Sequence, residues 1–163
     1  MANRKNLYVT LFQGILLLTI ILIAGCAEDE EEVEPTLSSL WDNAFSGCAL
    51  NCHSPDTPDG PDGLSVGPDM STKAKFYDSL VSKSIADYPD WTNITPGCTF
   101  DYITPNDSDL TQSTLAGTLI LSINNSIGCG TSYATHEANG VTITDKDVEA
   151  AFKSWVASGA PNN

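Results

Sequence analysis

Two cysteines and a histidine stand close together in this sequence, in the order Cys48, Cys52, His53, with Ala-Leu-Asn between the two cysteines. Two thiols followed at once by an imidazole are the groups that attach a c-type haem, because the thiols form thioethers with the haem and the imidazole binds its iron. The usual spacing is C-x-x-C-H, and this C-x-x-x-C-H segment has one residue more. It therefore predicts a variant haem site or another use of the same side chains.

The spacing of the two thiols bears on these alternatives. Residues i and i+4 of a helix share a face, with Cβ atoms about 5–6 Å apart, whereas a disulfide requires Cβ atoms about 3.5–4.5 Å apart. A disulfide between Cys48 and Cys52 therefore requires the helix to break, and Gly47 is a residue at which it could end. Haem instead requires two thiols on one face, which the spacings i+3 and i+4 both provide.

The N-terminus has the pattern of an export signal, since Arg4 and Lys5 precede a long apolar run. The run ends in the quartet Ile-Ala-Gly-Cys, which is similar to the bacterial lipobox, whose cysteine is lipidated and becomes the first residue after cleavage. We therefore expect a lipoprotein signal peptide over 1–25, then the lipidated Cys26 and an acidic linker over 26–36. An uncleaved membrane anchor is the alternative.

The lipobox similarity also implies a location outside the cytoplasm. Under the sorting rule of Gram-negative lipoproteins, Ala27 after Cys26 is not an inner-membrane retention signal, which favours the outer membrane. An exported chain lies in an oxidising compartment, so its cysteines are expected to be bonded.

Four further cysteines lie in the exported part: Cys48, Cys52, Cys98 and Cys129. They allow three sets of disulfide pairings, or one disulfide together with one haem. If Cys48 and Cys52 hold a haem, Cys98 and Cys129 are left to pair with each other. A fold with two disulfides and no haem stays open, as does a zinc site built from Cys48, Cys52 and His53.

The chain contains only two histidines. His53 is the expected proximal ligand of a haem iron, and His136, in a predicted loop rich in Gly, Ala and Thr, is a candidate for the second ligand. The alternative for His136 is a solvated loop side chain. Met70 directly precedes a predicted helix cap, and we expect it to pack rather than to bind iron.

The formal net charge is −14, from 7 basic and 21 acidic residues, and removal of the signal peptide would leave 5 basic residues and a charge of −16. This excess argues against nucleic acid as a partner, because phosphates require Lys and Arg. It permits a basic protein partner, such as a redox protein.

Apolar periodicity predicts four helices in a mostly helical chain with long loops. The first starts at Leu37 with Thr36 as its cap, the second runs from Ser71 to Val81, the third covers 110–123, and the last follows a capping box at 144–147. Two of them have apolar residues at i, i+3, i+4, i+7 and i+8, and we expect these two to pack together. The residues are Leu37, Leu40, Trp41, Ala44 and Phe45 in the first helix, and Val148, Ala151, Phe152, Trp155 and Val156 in the last.

The order of these motifs from Leu37 to Asn163 resembles the small cytochrome c-like domains of bacterial exported lipoproteins. The resemblance implies an all-α cytochrome c-like domain over 37–163, with Cys48 and Cys52 as thioether residues and His53 as proximal ligand. The matching residues are Phe45, Cys48, Cys52, His53, Gly63, Leu64, Tyr77 to Val81, Pro105, Ser113, Thr114, Leu115, Trp155, Gly159, Ala160 and Pro161.

The chain departs from this family at the axial methionine, which is absent from its expected place near 132–134. The iron would then have His136 or another group as its second ligand, or none. A His/His pair implies a lower potential than a His/Met pair.

The expected function is electron transfer by a membrane-anchored c-type haem protein outside the cytoplasm. The alternative is a non-haem binding or structural lipoprotein module, stapled by disulfides on the same scaffold. An enzyme is not expected, since the sequence contains no G-x-S-x-G, H-E-x-x-H or phosphate-loop motif.

Overall fold

The computed structural model describes residues 32–51, 53, 68–88, 99–128 and 132–163. The predicted signal peptide, the lipidation site Cys26 and most of the acidic linker lie outside these ranges. So do Cys52, Cys98 and Cys129, and with them the predicted disulfide and the second predicted thioether.

The described part of the chain is helical. It contains two isolated bridges, Val81 with Ile103 and Ser84 with Asp101, but no β-strand within the described ranges. None of the helices in those ranges is both long enough and apolar enough to cross a bilayer. The helices are α1 Leu37–Leu40, a π-helix π1 Trp41–Phe45, α2 Ser46–Asn51, α3 Lys73–Leu80, a 3-10 turn Ile85–Asp87, α4 Thr114–Leu119, α5 Leu121–Asn124, α6 Tyr133–Ala138 and α7 Lys146–Ala157.

The first predicted helix is not a uniform α-helix. Thr36 caps it as predicted, because its hydroxyl accepts a hydrogen bond at 3.1 Å from the amide three residues later. Within π1 the winding widens, and the Ser46 amide bonds to the Trp41 carbonyl. A π turn holds one residue more than an α turn. Phe45, five positions after Leu40, therefore falls on the same buried face.

The last helix, α7, confirms its predicted core residues. Its cap is Asp145, whose carboxylate accepts hydrogen bonds from the amides of Asp147 and Val148. The capping box predicted at 144–147 places the cap at Thr144, one residue before the observed cap. Gly159 ends the helix with a φ of +96°. The buried residues are those predicted, namely Val148, Ala151, Phe152, Trp155 and Val156.

The first and last helices pack together as expected, through three phenylalanines. The Phe45 ring meets Phe152 edge to face, with centroids 5.4 Å apart, and stacks on Phe76 of α3 at 4.6 Å. The C-terminal residue Asn163 also contacts the first helix, because its side-chain oxygen accepts a hydrogen bond from the Leu37 amide at 3.0 Å. Phe76, which was not among the predicted core residues, is fully buried.

The second predicted helix begins one position later than expected. Thr72, and not Ser71, is the cap of α3, and its hydroxyl accepts a hydrogen bond from the Lys75 amide at 3.2 Å. Leu80 is buried, whereas Tyr77 is only partly buried against the core.

The third predicted helix, 110–123, is shorter and is divided into α4 and α5. Leu110 has a φ of +58°, which helical residues do not adopt, and Ile120 is extended between the two helices. The Asp107 carboxylate accepts a hydrogen bond from the Ser113 hydroxyl at 2.9 Å. This bond stabilises a turn where the sequence had predicted the helix start.

The aromatic contact between the terminal helices is expected to dominate stability. We expect Phe152→Ala to lower the free energy of unfolding by about 3–5 kcal/mol, because it leaves a cavity beside Phe45. Lys153→Ala is the matched control, since that exposed side chain has only an ion pair of 3.8 Å with Asp109 and should cost about 0–1 kcal/mol. Chemical denaturation measures both, and equal costs would contradict this packing.

Candidate functional site

The predicted attachment segment begins on α2. Cys48 is partly buried and packs against the core, three positions after Phe45. Its carbonyl accepts a hydrogen bond from the His53 amide at 3.0 Å. This bond joins residues i and i+5, so the turn is one residue wider than an α turn. His53 therefore returns to the end of the helix although the segment is one residue longer than C-x-x-C-H.

A second segment, residues 68–70, fixes His53 from the other side. The Met70 amide donates a hydrogen bond to the His53 carbonyl at 2.9 Å. The Pro68 carbonyl accepts a hydrogen bond from the His53 ring. Met70 is buried in the core, which confirms that it packs. Pro68 was not among the predicted site residues, because the role of its backbone carbonyl is visible only in the three-dimensional structure.

The surroundings of His53 keep its imidazole neutral. Burial, and secondarily the nearby His136, lower the pKa of His53 from 6.5 to about 4, and the Pro68 hydrogen bond opposes the shift only in part. The ring is therefore neutral at neutral pH. A neutral imidazole with one N–H bonded to a carbonyl has a lone pair on its other nitrogen, which is the form that binds a metal.

His136 lies on a helix and not in the loop that the sequence predicted. It belongs to α6, which packs against the buried helix α4 and is anchored by the buried Tyr133. The Ser132 carbonyl lies 2.9 Å from His136 Nδ1. Because a carbonyl oxygen only accepts hydrogen bonds, Nδ1 is the protonated nitrogen. When this ring is neutral, Nε2 has the lone pair.

The two histidines, distant in sequence, are neighbours in the structure. Their ring centroids are 6.4 Å apart and their planes are inclined by 16°. A metal–imidazole bond is about 2.0–2.1 Å long and a ring nitrogen lies about 1.1 Å from the ring centre, so one metal ion midway between two imidazoles separates their centroids by about 6.2–6.4 Å. The observed spacing therefore fits one shared metal ion.

Among the described residues, no group of three or more His, Cys, Asp or Glu side chains is placed to hold a metal ion. A structural zinc site takes four protein ligands, and calcium takes six or more oxygens. The iron of a haem needs only axial ligands from the protein, and a pair of imidazoles fits that requirement. The alternative zinc site includes Cys52 and lies partly outside the described ranges.

A cavity of about 270 Å³ lies beside Cys48, between α2 and the segment that precedes α7. Apolar side chains of Ala44, Ile143 and Val148 line much of it. Gly47 also borders this space, and a Cβ there would meet no atom within 4 Å. Neither histidine lines the cavity, so it is distinct from the space between the two rings.

Comparison with known proteins gives no relative. No protein-family model matches this chain, and no curated protein or solved structure matches it. Function must therefore be inferred from the sequence motif and from the geometry of the two histidines.

The lowered pKa of His53 predicts acid sensitivity of the chain without haem. Between pH 6.5 and pH 4 the unfolded state binds a proton that folded His53 does not, so the free energy of unfolding should fall by up to about 3 kcal/mol. Above pH 6.5 this histidine is neutral in both states and adds no pH dependence. Denaturant unfolding over this pH range measures the effect.

His53→Gln is the comparison for this measurement, since it removes the titrating group. Its free energy of unfolding should decline less steeply over the same range, although carboxylates titrate in both proteins. Parallel curves for the two proteins would show that His53 does not have a lowered pKa.

Proposed function

We propose that residues 37–163 form the haem domain of an electron-transfer lipoprotein. One c-type haem would be attached at Cys48 and Cys52, with His53 and His136 as its two axial ligands. The observation that supports this most strongly is the ring spacing of 6.4 Å with nearly parallel planes. It is the separation that one metal ion imposes on two imidazoles.

The hydrogen bonds of the two rings support the same assignment. Each ring is bonded to a backbone carbonyl, His53 to Pro68 and His136 to Ser132. Such bonds fix the tautomer and orientation of metal-binding histidines and make the other ring nitrogen a better metal ligand. The two carbonyls come from different parts of the chain, so each ring is held independently.

The low pKa of His53 has a second benefit for ligation. A proton and an iron compete for the same lone pair. Because burial keeps this imidazole neutral down to a pH of about 4, no proton has to be displaced at neutral pH.

Two axial histidines favour electron transfer over the binding of a substrate. A bound haem supplies one-electron redox chemistry. His53 and His136 would both bind the iron of such a haem, which would leave no open position for a small molecule. The imidazole pair would also give a lower potential than a His/Met pair.

The surface charge supports a basic redox partner. Four of the lysines in the described ranges are engaged in ion pairs with carboxylates, so much of the acidic excess stays uncompensated. A negative surface raises the association rate with a positively charged protein at low salt. The pairs are Lys75 with Asp69, Lys83 with Asp87, Lys146 with Glu149 and Lys153 with Asp109.

The proposed anchor places this domain at a membrane surface outside the cytoplasm. Lipidation of Cys26 would attach the chain, and the acidic residues that follow would act as a spacer. The proposal favours the outer membrane because of Ala27.

Expression with cytochrome c maturation factors tests the proposed function. We expect a covalent haem that survives denaturing electrophoresis, and a low-spin spectrum in both oxidation states because both axial positions are filled. A folded, exported chain without any haem after expression in this system would contradict the proposal. It would favour the disulfide-stapled module instead.

Replacement of His136 separates attachment from ligation. His136→Ala should retain covalent haem, because the thioethers are untouched, but should lose the low-spin spectrum and bind carbon monoxide in the reduced state. Thr135→Ala, at an exposed neighbouring position on α6, is the control and should leave the spectrum unchanged. An unaltered low-spin spectrum in His136→Ala would exclude His136 as ligand.

His136→Met should raise the midpoint potential above that of the unmodified protein. Thioether ligation favours ferrous iron relative to imidazole ligation. Equilibrium redox titration measures the difference. A potential that stays the same, in a variant that keeps its haem, would contradict axial ligation at position 136.

A further inference from the structure

We infer that the wide turn between Cys48 and His53 allows a C-x-x-x-C-H segment to replace C-x-x-C-H. The inference rests on the proposed function. In C-x-x-C-H the histidine follows the first cysteine by four positions, which is the reach of one α-helical hydrogen bond. In this chain it follows by five, and the observed bond from the His53 amide to the Cys48 carbonyl, 3.0 Å long, has that reach.

The same widening occurs just before the motif. In π1 the Ser46 amide bonds to the Trp41 carbonyl, again five positions away. That turn keeps Phe45 on the buried face, so the helix enters the motif with Cys48 at the edge of the core. In each of these two turns, one π-type hydrogen bond accommodates one residue more than an α-helical turn holds.

The position of His53 is fixed by contacts outside the turn. Its carbonyl is bonded to the Met70 amide, and its ring is bonded to the Pro68 carbonyl. These contacts depend on the core and not on the number of residues between the cysteines, since Met70 and Pro68 are both buried. The backbone of residues 49–51 is therefore the part of the motif that can change in length.

This geometry predicts opposite outcomes for a shorter and a longer segment. Deletion of Asn51 gives C-x-x-C-H, whose turn can close by an ordinary α-helical hydrogen bond while Pro68 and Met70 still hold His53. Insertion of one alanine after Asn51 separates Cys48 from His53 by six positions, and no helical turn closes over that distance.

The test compares the unmodified chain, the deletion of Asn51 and the alanine insertion, all expressed with maturation factors. We expect the deletion variant to retain covalent haem, the low-spin spectrum and the midpoint potential of the unmodified chain. The insertion variant should lose the low-spin spectrum. Circular dichroism checks folding, and deletion of Ala49 repeats the test if removal of Asn51 unfolds the chain.

The outcomes distinguish this inference from the function on which it rests. Absence of haem from the unmodified chain contradicts the proposed function and the inference together. A haem with two histidine ligands in the unmodified chain, but not in either folded deletion variant, overturns only the inference. Retention of the unchanged spectrum by the insertion variant overturns it as well.

Discussion

The approach of the His53 and His136 imidazoles is the interaction on which the proposed site depends. Isolated in water, two such rings would have no reason to remain 6.4 Å apart. Here each ring is tied to a backbone carbonyl, and burial disfavours the charged form of His53. The arrangement brings two imidazole rings together without a third His, Cys, Asp or Glu ligand in the described ranges. That is the requirement of a haem iron more than of a zinc or calcium ion.

The scaffold places the two rings through separate contacts. Phe45 packs between Phe76 and Phe152 and so fixes the helix that leads to Cys48 and His53. His136 depends on another contact, the packing of α6 on the buried α4. The core therefore determines the distance between the rings through the helices that lead to them. A change in either packing contact would alter this distance without removing a histidine.

Much of the helical framework could be predicted from the sequence. The apolar residues of α7 are spaced regularly over three turns, so their burial follows from helical periodicity. Thr36 could also be identified as a cap, because Thr directly before an apolar helical pattern is a preferred N-cap residue. Of the stripe predicted for the first helix, Leu37, Leu40 and Phe45 are buried, whereas Trp41 and Ala44 are only partly buried. Helical periodicity does not reveal the π-helix, whose additional residue shifts the buried face.

The site itself was less predictable. His136 was assigned to a loop because α6 has only six residues and is stabilised by tertiary packing, which local pattern does not report. Pro68 and Ser132 contribute only backbone carbonyls, so their side chains give no signal. The start of the third helix was placed too early because the Asp107 carboxylate bonds to Ser113 and favours a turn. Both histidines were named from the sequence, whereas their proximity required the folded structure.

The central claim is that His53 and His136 bind the same iron. Electron–nuclear double resonance on the ferric protein, with isotopically labelled histidine, counts the imidazole nitrogens coupled to that iron. The account predicts two strongly coupled axial imidazoles in the unmodified chain and one when either histidine is replaced. A single coupled imidazole in the unmodified, haem-loaded chain would contradict it.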